Sequence, residues 1–238
     1  MKVLSRPFRL TASQEALWIW LASFLAILVA TLFLRRHAKL IATIAFLYLP
    51  LLAMNRREET YQDYGVTLRK WRQDLGLAAL LFALVVPLYF AAYLLFAQVL
   101  PHLPRPIASY LWPYGAPPHF RARLPANLDL WVLDQLFVVA LPEEFFYRGY
   151  LQTRLRDAMP QGRLFLGARL GPAFFLTAAL FAVGHLAIFD IGRLAVFFPA
   201  LLFGWLRERT GTVIGSGVLH AACNIYEMVL RLSFFSGA

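Results

Sequence analysis

The stretch Leu141-Pro142-Glu143-Glu144-Phe145-Phe146-Tyr147-Arg148-Gly149 puts two adjacent carboxylates and a guanidinium inside a long apolar run. A charge at the bilayer centre costs about 2.5–3.5 kcal/mol even on the mildest insertion scale, so three left unpaired would cost about 8 kcal/mol. This charge has to be paired, hydrated or used. Working outward, two later apolar stretches each carry one histidine, His185 and His220. Paired glutamates and membrane histidines are the raw material of a water-activating site.

Composition places the whole chain in a membrane. Its 238 residues are 60% hydrophobic and 15% charged, with mean hydropathy +0.61; a soluble domain carries about 25% charged residues. Seven apolar runs are expected to span, at about 16–34, 40–54, 75–98, 129–155, 172–189, 193–206 and 212–235. Several fall short of the ~20 residues that cross a bilayer squarely, and 40–54 and 193–206 are the weakest. The expected fold is therefore all-α, a polytopic membrane helical bundle of about seven transmembrane helices, six to eight. Such spans satisfy one another's polar groups only by packing together, which makes one structural domain. Within it, 1–128 would hold the N-terminal transmembrane helices and a proline-rich outer loop. Residues 129–238 would form the helical core that carries the polar residues.

The first apolar run is too long for a signal sequence and ends in Arg35-Arg36, a stop-transfer pattern, so Met1 to Arg9 reads as a retained basic tail. The single cysteine, Cys223, excludes an internal disulfide and reads as a small packing residue. Net charge is +10, but no basic stripe with interleaved aromatics is present, which argues against nucleic acid. The charges sit in connectors instead. The N-terminal tail, 55–74, 156–171 and 207–211, with Arg154, hold fourteen Lys and Arg, and the opposite set holds eight. The positive-inside rule then puts the N-terminus in the cytoplasm and, with seven spans, the C-terminus outside. Twenty arginines against three lysines suggest GC-rich bacterial coding, hence a bacterial cytoplasmic (inner) membrane.

Two connectors stand out. Asn55 to Asp74 is highly charged around Tyr64-Gly65 and reads as a cytoplasmic elbow. Pro101 to Asp129 holds seven of the fourteen prolines plus Tyr110, Trp112 and Tyr114. Proline should block regular helix there, and the aromatics suit the interface. The segment is either a plain outer loop or a lid over a substrate entrance.

Helical spacing then arranges the polar residues. Glu144 and Arg148 share a face and can pair. Glu143 is turned about 100° away and is free to face something else. Pro142 deprives the Val138 carbonyl of its helical donor and should kink the helix, opening room for water beside a carboxylate. The Arg148-Gly149 step should let a neighbouring helix come close. Phe181 lies one turn before His185. His220 and Asn224 lie one turn apart with small residues between, an arrangement that can donate two hydrogen bonds to one oxygen. Glu143, His185 and Asn224 all fall ~15–20 Å from the proposed cytoplasmic helix ends at 1.5 Å per residue. The plainer alternatives are a structural ion network and interhelical hydrogen bonds.

Glu-Glu-x-x-x-Arg, Phe-x-x-x-His and His-x-x-x-Asn, in that order in successive apolar segments, resemble the CPBP (ABI) family of intramembrane proteases. That family includes the type II CAAX prenyl endopeptidases. Pro142 to Leu151 (PEEFFYRGYL) looks like its first motif, and Gly211 to Asn224 (GTVIGSGVLHAACN) is similar to its last conserved helix. The resemblance covers about Asp129 to Asn224 and marks 129–238 as the CPBP/ABI-type catalytic core.

The resemblance implies an intramembrane endopeptidase cutting near the C-terminus or membrane segment of a membrane-anchored protein or peptide. Glu143 would polarise the attacking water with His185. His220 and Asn224 would stabilise the oxyanion. Glu144, Arg148 and Phe181 would support them. Zinc is possible, with Glu143, His185 and His220 as ligands. The His pair of an H-E-x-x-H helix is missing, which favours a glutamic-type mechanism with no cofactor over a metalloprotease. Two rival classes remain: an inactive membrane scaffold or immunity protein, and a proton-coupled transporter. The transporter would more often show repeats in both halves of the chain.

Overall fold

The computed structural model describes residues 11–111 and 120–235. Helix α1 (Ala12–Phe33) opens on a capping box. The Thr11 hydroxyl accepts from the Gln14 N–H, and the Gln14 side chain accepts from the Thr11 N–H. A 3₁₀ turn at Arg35–His37 leads into α2 (Ala38–Asn55), and the charged elbow leads into α3 (Trp71–Val99). A short α4 (Arg105–Leu111) precedes the long α5, which runs continuously over 128–158. A small antiparallel hairpin, β1 (Arg163–Phe165) and β2 (Ala168–Leu170), pairs Arg163 with Leu170. Helix α6 (Pro172–Gly184), 3₁₀ turns at His185–Ile188 and Ile191–Val196, α7 (Phe197–Thr210) and α8 (Ile214–Phe235) complete the bundle.

Each apolar run read as a span coincides with a helix. Among the described residues three helical stretches, Ala12–Phe33, Arg35–Asn55 and Trp71–His102, are long and apolar enough to cross a membrane, fewer than the seven expected, and Pro172–Ile188 is a shorter apolar helix. The run at 193–206 becomes a regular helix only from Phe197. Asp190 stops the chain before it, its side chain accepting from the Gly192 N–H at 3.0 Å. Helix α3 shows what surrounds the bundle. Leu80, Leu84, Leu88 and Leu95 are all more than half exposed along it. Such a surface is stable against lipid and not against water. The hairpin was not expected. Its tip holds Leu164, Phe165 and Leu166, all largely exposed, between Arg163 and Arg169.

The core lies where α1, α2, α5 and α6 meet, around Phe46, Met54, Phe146, Tyr150, Leu151 and Phe181. Helices α3, α7 and α8 enclose a second cluster of Ala78, Phe203, Leu206 and Leu219, against which the partly buried Cys223 packs.

The connectors that the charge count grouped together meet at one end. Arg57 holds Glu15 by two hydrogen bonds, of 2.8 and 2.5 Å, and Tyr150 donates to Glu15 at 2.7 Å. Tyr64 donates to Glu59, which Arg154 also approaches at 3.7 Å. Burial and the Glu59 carboxylate hold the Tyr64 hydroxyl well above the ordinary phenol range. Gly65, at φ +82°, lets the elbow turn, and its carbonyl accepts from the Val213 N–H at 2.9 Å. Gly149 is what admits this elbow, since a Cβ there would lie 2.9 Å from the Tyr64 carbonyl. The close approach expected at Arg148-Gly149 is therefore made by a connector and not by a helix.

At the other end Lys39 pairs with Asp134. The backbone at Arg121 and Arg123 is tied to Ser233 of α8. Proline does not exclude helix from this connector. Pro106 sits in the first turn of α4, where its missing N–H leaves nothing unsatisfied. Tyr110 is exposed on α4. Trp112 and Tyr114, like Met1 to Arg9, lie outside the described residues.

Candidate active site

Helix α5 carries the glutamates on an irregular segment. Regular turns at Leu128–Leu133, Leu141–Glu144 and Gln152–Ala158 alternate with π-helical stretches at Asp134–Ala140 and Phe145–Leu151. Wide turns of this kind are frequent at functional sites. The expected lesion at Pro142 is repaired from outside: Thr43 of α2 donates its hydroxyl to the Val138 carbonyl at 2.8 Å. The hollow beside Pro142, about 220 Å³, is lined by Leu47, Phe137, Leu141, Phe145 and Val213 among others. It is apolar and does not include Glu143, unlike the water pocket expected there.

The two adjacent glutamates have different surroundings. Glu144 is fully buried. One of its oxygens, Oε1, accepts from Arg148 at 2.9 Å and from the His220 Nδ1–H at 3.0 Å. Arg148, also buried, donates to the Ala200 carbonyl at 3.2 Å and lies over the Phe181 ring at 4.4 Å. This combination of ion pair, hydrogen bond and cation–π contact makes a buried guanidinium tolerable. Glu143 has no hydrogen-bond donor among the described residues; its Oε2 is buried without a partner, as is the Oε2 of Glu144. The Nε2 of His220 stands 3.9 Å from the Glu143 Oε2. That gap is too long for a direct hydrogen bond.

Both histidines have one nitrogen committed. His220 gives its Nδ1–H to Glu144 and lies flat on Phe203, ring centroids 4.7 Å apart. Its Nε2 is turned to the Glu143 side. His185 is not inside a helix as the spacing suggested but at the end of α6, opening a 3₁₀ turn. Its own N–H is drawn to Ala182 and Val183, which frees the Phe181 carbonyl. The His185 Nδ1–H takes that carbonyl at 2.8 Å. The local fold thereby sets the tautomer, and a neutral His185 presents a lone pair at Nε2. The Phe181 ring lies against both imidazoles, its centroid 4.7 Å from that of His185 and 5.8 Å from that of His220.

Asn224 stands one turn beyond His220 on α8. Its side-chain N–H is given to Gln135 of α5 at 2.9 Å, not to either glutamate. The structure therefore brings Glu143, Glu144, Arg148, Phe181 and His220 into direct contact or near it, with His185 close by. Asn224 is held at the margin.

Zinc would need at least three protein ligands at about 2.0–2.2 Å. Among the described residues no three His, Cys, Asp or Glu side chains are arranged to hold a metal ion.

Residues 125–226, under half of the chain, match the family model described as type II CAAX prenyl endopeptidase Rce1-like. The chain is related to the CAAX proteases. No curated protein and no solved structure matches it. The matched segment runs from just before α5 into α8, so it holds Gln135, Glu143, Glu144, Arg148, His185, His220 and Asn224. The relation to the CAAX proteases implies a membrane endopeptidase acting on a peptide. With the apolar helices, it makes this an integral membrane protein.

Four contributors to the candidate site were not singled out from sequence: Gln135, Thr43, Phe203 and the Ala200 carbonyl. Gln135 carries a signal, being an amide in the same apolar run as Glu143. Thr43 could have been sought as a hydroxyl to serve the carbonyl stranded by Pro142. Phe203 is one aromatic among twenty-one phenylalanines, and a backbone carbonyl leaves no trace in sequence.

Proposed function

We propose that this protein is an intramembrane endopeptidase of glutamic type. The observation that carries the reading is the unequal treatment of Glu143 and Glu144. One carboxylate is committed to a guanidinium and an imidazole. The other accepts no hydrogen bond from any described residue, and the Nε2 of His220 stands 3.9 Å from it. A purely structural ion network would pair both carboxylates, because a carboxylate with no partner at all is the costly case in an apolar site.

In this reading Glu143 accepts a proton from water while the His185 Nε2 lone pair holds the same water. The hydroxide adds to the scissile carbonyl. The oxyanion so formed is met by Asn224 and by the Nε2–H of His220. Because its Nδ1–H is already given to Glu144, His220 can donate from Nε2 only when the ring carries both protons. The proton on Glu143 then passes to the leaving amine, which restores the carboxylate and completes the hydrolysis. Glu144 and Arg148 hold His220 in place. The substrate is a membrane-anchored protein or peptide cut near its C-terminus or within its membrane segment. The Lys- and Arg-rich end faces the cytoplasm of a bacterial inner membrane.

The test uses purified protein in detergent with a fluorogenic peptide carrying a farnesylated CAAX C-terminus, together with a comparison of membrane-protein C-termini in cells with and without the protein. The expected result is cleavage by the wild type and none by Glu143→Gln. Equal cleavage by Glu143→Gln would move the base to another residue. No protein-dependent change in any C-terminus would leave a scaffold or immunity role.

A further inference from the structure

A chain of four side chains runs from one end of the bundle to the candidate site. Lys39 Nζ meets Asp134 Oδ1 at 2.5 Å. The other oxygen of that carboxylate, Oδ2, accepts from Gln135 Nε2 at 3.2 Å. Gln135 Oε1 accepts from Asn224 Nδ2 at 2.9 Å. The direction of this chain is not arbitrary. An ammonium only donates and an ionised carboxylate only accepts, whereas each amide has a donating and an accepting end. The Asp134 carboxylate, paired with the Lys39 ammonium, is an acceptor only. Asp134 must then face the NH₂ end of Gln135, so the oxygen of Gln135 faces Asn224. Asn224 can satisfy that oxygen only with its NH₂ group.

We propose that Gln135, set by Asp134 and Lys39, is the positioning residue that fixes which way round the Asn224 amide stands. Asn224 has two N–H bonds. Gln135 takes one and leaves the second, on the same nitrogen, for the developing oxyanion. Without the chain the amide is free to turn over and present its carbonyl oxygen, which repels an oxyanion. The assignment deepens the endopeptidase reading and rests on it for the role of Asn224. The orientation of the amide can be read without any activity.

The experiment has two readouts. The protein contains three asparagines, Asn55, Asn127 and Asn224, so selective ¹⁵N labelling of asparagine side chains gives a short spectrum in detergent micelles. The Asn224 pair is assigned by its loss in Asn224→Ala. Both Gln135→Leu and the isosteric Asp134→Asn are expected to shift that pair and speed its hydrogen exchange. On the farnesylated CAAX peptide, each is expected to lower kcat about 10-fold with KM unchanged, a part of the ~10²–10³ lost when an oxyanion donor is removed. Neither is expected to lower kcat further in an Asn224→Ala background.

An Asn224 signal indifferent to both changes overturns the proposal, and so does a loss of kcat that persists in full without Asn224. Should Gln135→Leu fail to fold, Asp134→Asn decides alone, since Asp134 is only partly buried and keeps its shape. If the signal shifts as expected but Glu143→Gln cleaves like the wild type, the relay stands and the endopeptidase mechanism falls.

Discussion

Glu143 and Glu144 are adjacent and chemically identical, and only their surroundings separate them. Replacing Glu143 by Gln keeps shape and volume and removes the ability to take a proton. Activity on a cleaved substrate should fall by ~10²–10⁴-fold. Thermal unfolding in detergent should stay near wild type, because no described residue hydrogen-bonds that carboxylate. Arg148→Ala should do the opposite first. It strands Glu144, and the Nδ1–H of His220 alone is left to satisfy it. Breaking a buried pair by removing one partner costs about 3–5 kcal/mol, so yield and melting temperature should drop before any assay is possible. A variant lacking Arg148 that is as stable as the parent would show that Glu144 is held neutral or hydrated.

At the scale of elements, α5 tolerates a proline in its interior because a neighbour completes it. Pro142 cannot supply an N–H, and the Thr43 hydroxyl reaches the Val138 carbonyl instead. Thr43→Val keeps the β-branched shape and deletes the donor. It should cost about 1–3 kcal/mol, the usual penalty for leaving a buried acceptor unsatisfied. Thermal unfolding measures the cost, and Thr43→Ser should recover most of it. No loss in Thr43→Val would mean that the π-helical turns satisfy Val138 by themselves. The end of α6 follows similar logic: the tightening of its last turn releases the Phe181 carbonyl, and His185 takes it. His185 is thus oriented by where its helix stops.

Two predictions belong to the whole molecule. Activity should survive exhaustive treatment with phenanthroline, with metal analysis of the purified protein as the companion measurement. The reason lies in His220, whose Nε2 cannot both ligate zinc through its lone pair and donate a proton to an oxyanion. Stoichiometric zinc, with activity lost on chelation and restored by zinc, would overturn the glutamic-type mechanism. The second concerns orientation. The start of α1, the elbow at 55–70, Arg154 and 207–213 all gather at one end. In a Cys223→Ala background, Gln62→Cys at the elbow should be shielded from an impermeant maleimide added to intact spheroplasts. Arg121→Cys, at the opposite end, should be labelled. The reverse pattern would invert the topology.

Local signals in the chain carried much of this. The apolar runs located the helices, since their length and hydropathy are properties of consecutive residues. The Glu144–Arg148 contact followed from the spacing of four residues along one helix, and the Cys223 environment from its apolar run. Contacts between distant segments could not be read in that way. The π-helical turns of α5, the exit of His185 from its helix, the capture of Asn224 by Gln135 and the service of Thr43 to Val138 each join or depend on groups far apart in the chain. Sequence spacing fixes angles around one helix axis, whereas the rotation and depth of one helix against another come from packing all of them at once. The inequality of the two glutamates arises at that level: their order along α5 is a matter of sequence, and which of them is left without a partner was decided by where α6, α7 and α8 come to rest.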